Sequence, residues 1–255
     1  MRLTEKLLLF LSREPKRAYG EHEENNVDTA LSLLCRVFPN FVDMIQGKQI
    51  VDFGCGVGNQ TTALARGGAK HVLGLDSNPR GLKKSAELAL VYSVQDKVAF
   101  ADRITEDHKG KFDIVISQNS MEHFNDPVEI MAQMQSMITP YGRILVSFGP
   151  PWFAPYGSHM YFFTKLPWVN ILFSEKTVMK VRSYFRNDGA TKYQDVESGL
   201  NKMTVARFEQ IINASGLDIV YQKYECVRGM DILGRVPIIR ELFINHVSYV
   251  LKRSS

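Results

Sequence analysis

Between residues 48 and 148, short apolar runs alternate with stretches in which apolar residues recur at helical spacing. The runs are predicted strands, because each is short and bounded by polar or glycine-containing segments. They lie at residues 50–53, 72–76, 98–100, 112–117 and 143–148. Both faces of each run are apolar, which is typical of parallel strands between two helix layers. The pattern therefore predicts an α/β domain with a mostly parallel sheet.

Start signals mark the helices between these strands. Asn78 precedes Pro79, and Asp126 precedes Pro127, so each site combines a capping side chain with a proline suited to the first helical turn. Glu129 stands where a capping box would place it. Ahead of the sheet, helical spacing predicts one more amphipathic helix, with apolar positions Val27, Ala30, Leu31, Leu34 and Phe38.

The regular alternation stops after residue 148. The following insert, residues 149–203, is rich in aromatic side chains: Trp152, Phe153, Tyr156, Tyr161, Phe162, Phe163, Trp168 and Phe173. An insert of this length in a compact α/β domain favours a functional lid, and the alternative is a structural extension with its own small core. A helix is then predicted from Thr204 to Gly216, followed by strands at 217–227 and 247–252.

These patterns divide the chain into N-terminal helices and a flap (1–47), a sheet core (48–148), the aromatic insert (149–203) and a C-terminal part of the core sheet (204–255). The first part opens with five consecutive apolar residues, Leu7 to Leu11. Five are too few for a signal-peptide core or a membrane span. We expect a short amphipathic helix that packs on the body, with a position on a membrane surface as the alternative.

Composition excludes several classes of protein. With 255 residues, 45% of them hydrophobic and 23% charged, the chain is neither disordered nor a disulfide-stapled scaffold. Its three cysteines form no zinc or disulfide pattern, which fits a reducing compartment and a cytoplasmic location. The net charge of +4 is too small to indicate nucleic acid, although the positive excess lies in the last third of the chain.

The first predicted strand ends in a glycine-rich turn. Gly54, Gly56 and Gly58 follow Asp52, and such a turn between a buried strand and a helix allows a ligand to approach the backbone. Dinucleotide-binding turns usually carry G-x-G-x-x-G, but position 59 here is Asn. A carboxylate two residues before the first glycine repels a pyrophosphate and suits a ligand with an ammonium group.

This D-x-G-C-G-x-G motif, with the acidic residue Asp76 at the end of the second strand, resembles that of the class I, Rossmann-like S-adenosylmethionine-dependent methyltransferases. The chain is similar to the small-molecule methyltransferases of that class, which include quinone-biosynthesis enzymes, over about residues 48–148. The resemblance implies a doubly wound, seven-stranded, mostly parallel sheet with an antiparallel last strand, here with an inserted lid. It also implies S-adenosylmethionine (SAM) as the cofactor.

The resemblance places cofactor contacts at the ends of the first four strands: Asp52, Gly54, Cys55, Gly56, Asp76, Ser77, Asp102, Arg103, Gln118 and Asn119. Asp52 is expected to support the ammonium group of SAM. Asp76 is expected to accept hydrogen bonds from both ribose hydroxyls, which a carboxylate does well. Asp102 is expected to contact the adenine amino group. Tyr19 is a candidate for a flap over the cofactor, or equally a surface residue.

Methyl transfer to a hydroxyl benefits from a general base, and histidine has a suitable ordinary pKa. His159, in the aromatic insert, is the first candidate for a base or a substrate anchor, and Tyr156 is the second. His123 follows the fourth strand, where a structural or cofactor-packing role is favoured over catalysis. No metal cluster is recognisable.

The function expected from these features is transfer of a methyl group from SAM to a small molecule, with a hydroxyl oxygen of an apolar or aromatic substrate favoured. N- or C-methylation remains an alternative. So does a membrane-associated lipid or quinone methyltransferase, which would contact the membrane peripherally. A non-catalytic SAM-binding regulatory protein is an alternative of another class. An NAD(P)-dependent oxidoreductase is disfavoured by the glycine spacing and by Asp52. No nucleic-acid partner is expected.

Overall fold

The computed structural model describes residues 1–12, 26–196 and 199–254, and the candidate flap residue Tyr19 lies outside them. Each of the seven predicted strands forms. Their bounds are β1 (Gln49–Phe53), β2 (His71–Leu75), β3 (Val98–Ala101), β4 (Phe112–Gln118), β5 (Ile138–Phe148), β6 (Leu217–Cys226) and β7 (Ile244–Arg253).

The strands form one sheet in the order β3-β2-β1-β4-β5-β7-β6. Strands β1 to β5 pair in parallel, whereas β7 runs antiparallel to both β5 and β6. The predicted fold, a mostly parallel seven-stranded sheet with an antiparallel last strand, is confirmed. After β1 the chain adds β2 and β3 on one side of β1, and β4 then pairs with β1 on the other side. This switch opens a crevice at the carboxyl ends of β1 and β4.

Nine helices lie within the described residues: α1 (Leu3–Leu11), α2 (Val27–Val37), α3 (Phe41–Ile45), α4 (Asn59–Arg66), α5 (Pro79–Val91), α6 (Pro127–Met137), α7 (Val169–Leu172), α8 (Glu175–Arg182) and α9 (Val205–Ala214). The predicted caps of α5 and α6 form, because Asn78 and Asp126 each accept two backbone N–H groups. The expected capping box of α6 does not form. The Glu129 carboxylate instead accepts a hydrogen bond from Gln133, one turn further along the helix.

Each face of the sheet has its own apolar core. One side packs against α6 and α9, with Met131, Met134 and Phe208 fully buried. The other packs against α2 and α4 through residues such as Leu34 and Leu64. Packing on both faces restricts the movement of the strands, so the strands hold the loops at their carboxyl ends in defined positions.

The insert builds a third core from its own aromatic and aliphatic side chains. Phe163 and Tyr193 are fully buried there among α8 and the turns before and after it. Helix α1 packs against α8, as expected of a helix docked on the body, and its Leu8 is completely buried in this cluster. Among the described residues, no helix has the length and apolar content that crossing a bilayer requires.

Candidate active site

The glycine turn after β1 is held by backbone hydrogen bonds to the neighbouring strand. The amides of Gly54 and Cys55 donate to the carbonyl of Leu75 at 2.8 and 3.0 Å. Gly54 has a φ of +84°, and a Cβ there would lie 2.9 Å from Oγ of Ser120. Above Gly56, which has a φ of +56°, a Cβ would meet no atom within 4 Å. The turn therefore leaves open space above its backbone, and it requires glycine for its conformation.

Asp76 links this turn to the end of β2. Its Oδ2 accepts the Gly56 amide at 2.8 Å, and its Oδ1 accepts the Asn78 amide at 2.8 Å. Each carboxylate oxygen can accept a second hydrogen bond. Asp76 therefore fixes the glycine turn and keeps acceptor capacity for a diol such as the ribose of a nucleoside.

All ten predicted cofactor-binding residues line two cavities that share Gly54. The larger, of about 430 Å³, includes Asp52, Gly54, Cys55, Gly56, Gln118 and Asn119. The smaller, of about 220 Å³, includes Gly54, Asp76, Ser77, Asp102 and Arg103. Phe124 adds an aromatic wall to the smaller cavity. The structure thus gathers the ends of four strands around one elongated binding region.

Asp52 lies beneath the larger cavity as a buried carboxyl group. Its two oxygens accept hydrogen bonds from Gln60 Nε2 and Thr61 Oγ1, both at 2.6 Å. Burial raises the pKa of Asp52 to about 6 and the charge of Asp76 adds to the rise, whereas the bonds from Thr61 and Gln60 oppose it. At neutral pH the group is ionised and can attract an ammonium. Sequence reasoning missed Gln60 and Thr61, although their position in the first turns of the helix after the glycine motif was a usable signal.

Cys55 and Asp102 stand in contrasting surroundings. Burial raises the pKa of the Cys55 thiol, and the nearby Asp52 and Asp76 carboxylates raise it further. A protonated, buried thiol is a poor nucleophile, so the Cys55 side chain is unsuited to nucleophilic chemistry. Asp102 is largely exposed, with Arg103 Nε 3.8 Å from its Oδ1. Its carboxylate is therefore free to turn toward a ligand in the smaller cavity.

A third cavity, of about 440 Å³, joins the end of β4 to the insert and brings His123 and His159 together. Their ring centroids are 5.6 Å apart, with the planes at 88°. Nδ1 of His123 lies 2.8 Å from the carbonyl oxygen of Gly199. A carbonyl can only accept, so Nδ1 carries the proton of the neutral ring and Nε2 is the basic nitrogen. Nε2 of His159 lies 3.3 Å from the carbonyl oxygen of Pro150.

Tyr156, the other predicted catalytic residue, packs elsewhere. Its ring packs against Tyr161 at a centroid distance of 4.5 Å with the planes tilted by 36°, and its carbonyl accepts a hydrogen bond from the backbone amide of His159. Tyr156 therefore shapes the turn that carries His159. The cavity with the two histidines is lined instead by Phe162, Met160 and their neighbours.

Two further residues at this edge of the sheet were not foreseen. Nε2 of His246, at the start of β7, lies 3.3 Å from Oδ1 of Asn119, and burial lowers the pKa of His246. Its signal in the sequence was its place just before an antiparallel last strand, which begins at the carboxyl edge. Asn201, from the end of the insert, donates to the carbonyls of Met121 and Phe124 at 2.8 and 2.7 Å. It braces the segment that carries His123.

Glu122 is the buried acid of the same segment. Burial raises the pKa of its carboxyl group, and the neighbouring His123 opposes that rise.

Within the described parts of the chain, no group of three or more His, Cys, Asp or Glu side chains is arranged to hold a metal ion.

These features fit SAM. The open space above Gly56 accommodates a ligand against the backbone, Asp52 provides a negative charge for its ammonium, and Asp76 provides acceptors for its ribose. Asp102 and Phe124 bound the cavity that the adenine would fill. The fold and site together are those of the class I methyltransferases.

Comparison with known proteins gives the same class. A family model described as a methyltransferase domain matches residues 19–222. The chain belongs to this family of SAM-dependent methyltransferases, enzymes that take their methyl group from that cofactor. The expected class and cofactor are thus confirmed, and the oxidoreductase alternative is wrong.

Among curated proteins, the chain is 32% identical over 102 residues to tocopherol O-methyltransferase of Arabidopsis thaliana, covering 39% of this chain and 29% of that protein. It is 36% identical over 107 residues to the ubiquinone biosynthesis O-methyltransferase of Aromatoleum aromaticum, covering 40% and 44%. The chain thus matches less than half the length of these relatives. Among solved structures, magnesium protoporphyrin IX methyltransferase of Synechocystis with bound S-adenosylhomocysteine aligns with a TM-score of 0.58 at 17% identity, covering 98% and 93%. That likeness shows the fold.

Proposed function

We propose that this protein transfers the methyl group of SAM to a hydroxyl oxygen of a small apolar or aromatic molecule. One observation carries the proposal: His123, with its basic Nε2, lines a cavity and directly precedes Phe124, which lines the smaller of the two cavities that fit SAM. The two relatives named above are O-methyltransferases, which supports oxygen as the acceptor.

In this proposal, Gly54 and Gly56 contact the methionine part of SAM, and Asp52 balances its ammonium charge. Asp76 orients the ribose and Asp102 meets the adenine. Bound SAM supplies an electrophilic methyl group whose sulfonium sulfur leaves as a neutral thioether. The protein's own task is to align the hydroxyl with that methyl group and to keep bulk water away.

His123 is the base we propose, ahead of His159. Its Nδ1–H donates to the Gly199 carbonyl, which orients the ring and leaves Nε2 to accept the hydroxyl proton. His159 has its Nε2 close to the Pro150 carbonyl and an edge-to-face contact with His123. We therefore assign His159 to holding the His123 ring and the substrate.

The substrate class follows from the cavity wall. Met160, Phe162, Val196 and Leu200 supply apolar surface, while the two histidines supply polar contacts. A volume of about 440 Å³ is in the range of small-molecule sites. A planar or aromatic alcohol suits such a wall, because an aromatic ring gains from packing against Phe162.

Two measurements test the proposal. Calorimetric titration should show that S-adenosylhomocysteine binds and that NADH does not. Methyl transfer from labelled SAM should then be assayed on phenols, matched anilines and matched thiols, with labelled product expected from phenols alone. Product from the anilines alone would make this an N-methyltransferase. Cofactor binding with no product from any acceptor class would favour a regulatory SAM-binding protein.

The cell compartment and membrane contact form a second part of the proposal. We place the protein in the cytoplasm, with α1 resting on an anionic membrane surface. The supporting observation is that Leu3 and Phe10 of α1 are 83% and 81% exposed although Leu8 is buried. Lys6 on the same helix, and Lys176 and Lys180 on the adjoining α8, add positive charge that an anionic bilayer attracts.

Co-sedimentation with anionic and with neutral vesicles tests the contact. The double variant Leu3→Ser, Phe10→Ser should lose binding to anionic vesicles. Ile238→Ser is a matched control, since Ile238 is an exposed apolar residue far along the chain from α1. Equal sedimentation of the double variant and the wild type would remove the membrane contact and leave the proposed methyl transfer untouched.

A further inference from the structure

The cavity that holds the two histidines is also lined by two arginines from the insert, Arg182 and Arg186. Arg182 is only 5% exposed, and its two terminal nitrogens donate to the two oxygens of Asp188 at 2.7 and 2.5 Å. This bidentate pair satisfies the charge of both partners. Arg182 and Asp188 together therefore add no net charge to the cavity.

Arg186 differs from Arg182 in its contacts. Its guanidinium carbon lies 4.9 Å from the centroid of the Phe162 ring, and Arg182 lies over the same ring at 5.6 Å. Among the described residues, no carboxylate forms an ion pair with Arg186. Contact with the ring holds the guanidinium plane in place while its N–H edge stays available to a ligand.

We propose that Arg186 binds a carboxylate on the methyl-accepting substrate, so that the substrate is a hydroxy acid with an apolar or aromatic body. This inference rests on the proposed function and names its substrate class. A guanidinium that pairs with none of the described carboxylates matches a single negative charge, and its planar fork matches the two oxygens of a carboxylate. A phosphate dianion would leave one negative charge unbalanced.

The arrangement separates two tasks within one cavity. His123 comes from the segment after β4, and Arg186 comes from the segment after α8. The Phe162 ring lines the same cavity and contacts the Arg186 guanidinium. A substrate with a ring, a hydroxyl and a carboxylate can use all three. The carboxylate then orients the molecule, and the hydroxyl is presented to Nε2 of His123.

The test compares para-hydroxybenzoate with para-hydroxybenzamide, its uncharged isostere, on protein saturated with S-adenosylhomocysteine. Calorimetry measures both affinities for the wild type and for Arg186→Gln, Arg186→Lys and Lys180→Gln. Lys180 is the matched control, because it is a nearby cation that stacks on Tyr184 and is not among the residues lining this cavity. Thermal unfolding checks that each variant is folded, and Arg186→Lys keeps the positive charge should Arg186→Gln be unstable.

We expect the wild type to bind the acid about tenfold more tightly than the amide, as one charge-assisted contact in a partly exposed site allows. Arg186→Gln should abolish this preference and leave amide affinity unchanged, Arg186→Lys should keep part of it, and Lys180→Gln should keep it all. No binding of the acid, equal affinities in the wild type, or a preference that survives Arg186→Gln overturns the inference. An equal loss of the acid preference in Lys180→Gln also overturns the inference, because it would indicate only a general attraction between positive surface charge and the acid.

Methyl transfer to the same two probes separates this inference from the proposed function. Equal transfer to acid and amide would leave the proposed function standing and remove the carboxylate site. An acid preference that depends on Arg186, with no methylated product from either probe or from the phenol panel, would keep the carboxylate site and overturn the proposed function.

Discussion

Asp76→Ala is the substitution that tests the cofactor site most directly. In the structure each Asp76 oxygen already accepts one backbone amide, from Gly56 and from Asn78. The second acceptor position on each oxygen is the one we assign to a ribose hydroxyl. A hydrogen bond to a charged group contributes about 1.5–3 kcal/mol. Because Asp76 is partly exposed, we take the lower end for each bond.

Two such bonds give about 3 kcal/mol, which corresponds to a loss of roughly 100-fold in affinity for S-adenosylhomocysteine. Asp76→Asn keeps the size and one acceptor oxygen, so we expect a loss of roughly tenfold. Calorimetric titration measures both. Asp96→Ala is a matched control, since Asp96 is an exposed carboxylate in the short turn before β3 and should leave the affinity unchanged.

Asp76→Ala also removes the hydrogen bond that holds the Gly56 turn. A second ligand therefore separates loss of the ribose contacts from loosening of the turn. An S-adenosylhomocysteine analogue without ribose hydroxyls should bind the wild type weakly and Asp76→Ala about equally weakly. If Asp76→Ala lowers the affinity for the analogue by the same factor as the affinity for S-adenosylhomocysteine, Asp76 acts only through the turn. An unchanged affinity for the parent compound would refute the placement of the ribose at the end of β2.

Four other outcomes are expected. Burial raises the pKa of Asp52 to about 6, so affinity for S-adenosylhomocysteine should fall as pH drops through about 6, because protonation removes the charge that faces the ammonium. Asp52→Asn should remove this pH dependence of the affinity. His123→Asn should lower kcat strongly with cofactor affinity unchanged in calorimetry, and full turnover would remove it as the base. Phe163→Ala should destabilise the insert by ~3–5 kcal/mol in denaturant unfolding, because it empties a fully buried site. Asn201→Ala should weaken cofactor binding and lower kcat together, and a change in only one would contradict its bracing of Met121 and Phe124.

The sheet was predictable because its signals are local. Each buried parallel strand is a short apolar run, and the observed bounds agree with the runs to within a few residues. The exception is β5, which begins at Ile138, five residues before the predicted start. Pro140 and Gly142 in that stretch are typical of a turn, yet Ile138 pairs with Phe112 across an irregularity in the register. Only the neighbouring strand determines that pairing.

The clustering of the ten candidate cofactor residues was predictable for a similar reason. These residues stand at the ends of consecutive parallel strands, and the carboxyl ends of such strands meet at one edge. The ten predicted residues accordingly line two adjoining cavities. Their contacts with SAM stay a prediction until a ligand is measured.

The substrate half depends on contacts between distant parts of the chain. His123 is oriented by the carbonyl of Gly199, 76 residues away, and meets the ring of His159 through the fold of the insert. The spacing of apolar residues along the chain does not indicate which backbone carbonyl a histidine side chain will contact. The ranking of His159 above His123 as a base therefore rests on the position of His159 within the aromatic insert, whereas the hydrogen bond at Nδ1 favours His123.

One short segment, residues 118–124, couples the two halves. Its start lines the larger cofactor cavity, Phe124 lines the smaller one, and His123 lines the cavity with the arginines. Phe124 also packs edge-to-face on Phe53 of β1, at a centroid distance of 5.7 Å. The Asn201 amide binds the carbonyls of both Met121 and Phe124, so we expect this part of the segment to shift as one unit when a ligand contacts either end. Cofactor binding should therefore also set the position of the proposed base, so the order in which cofactor and substrate bind affects the rate.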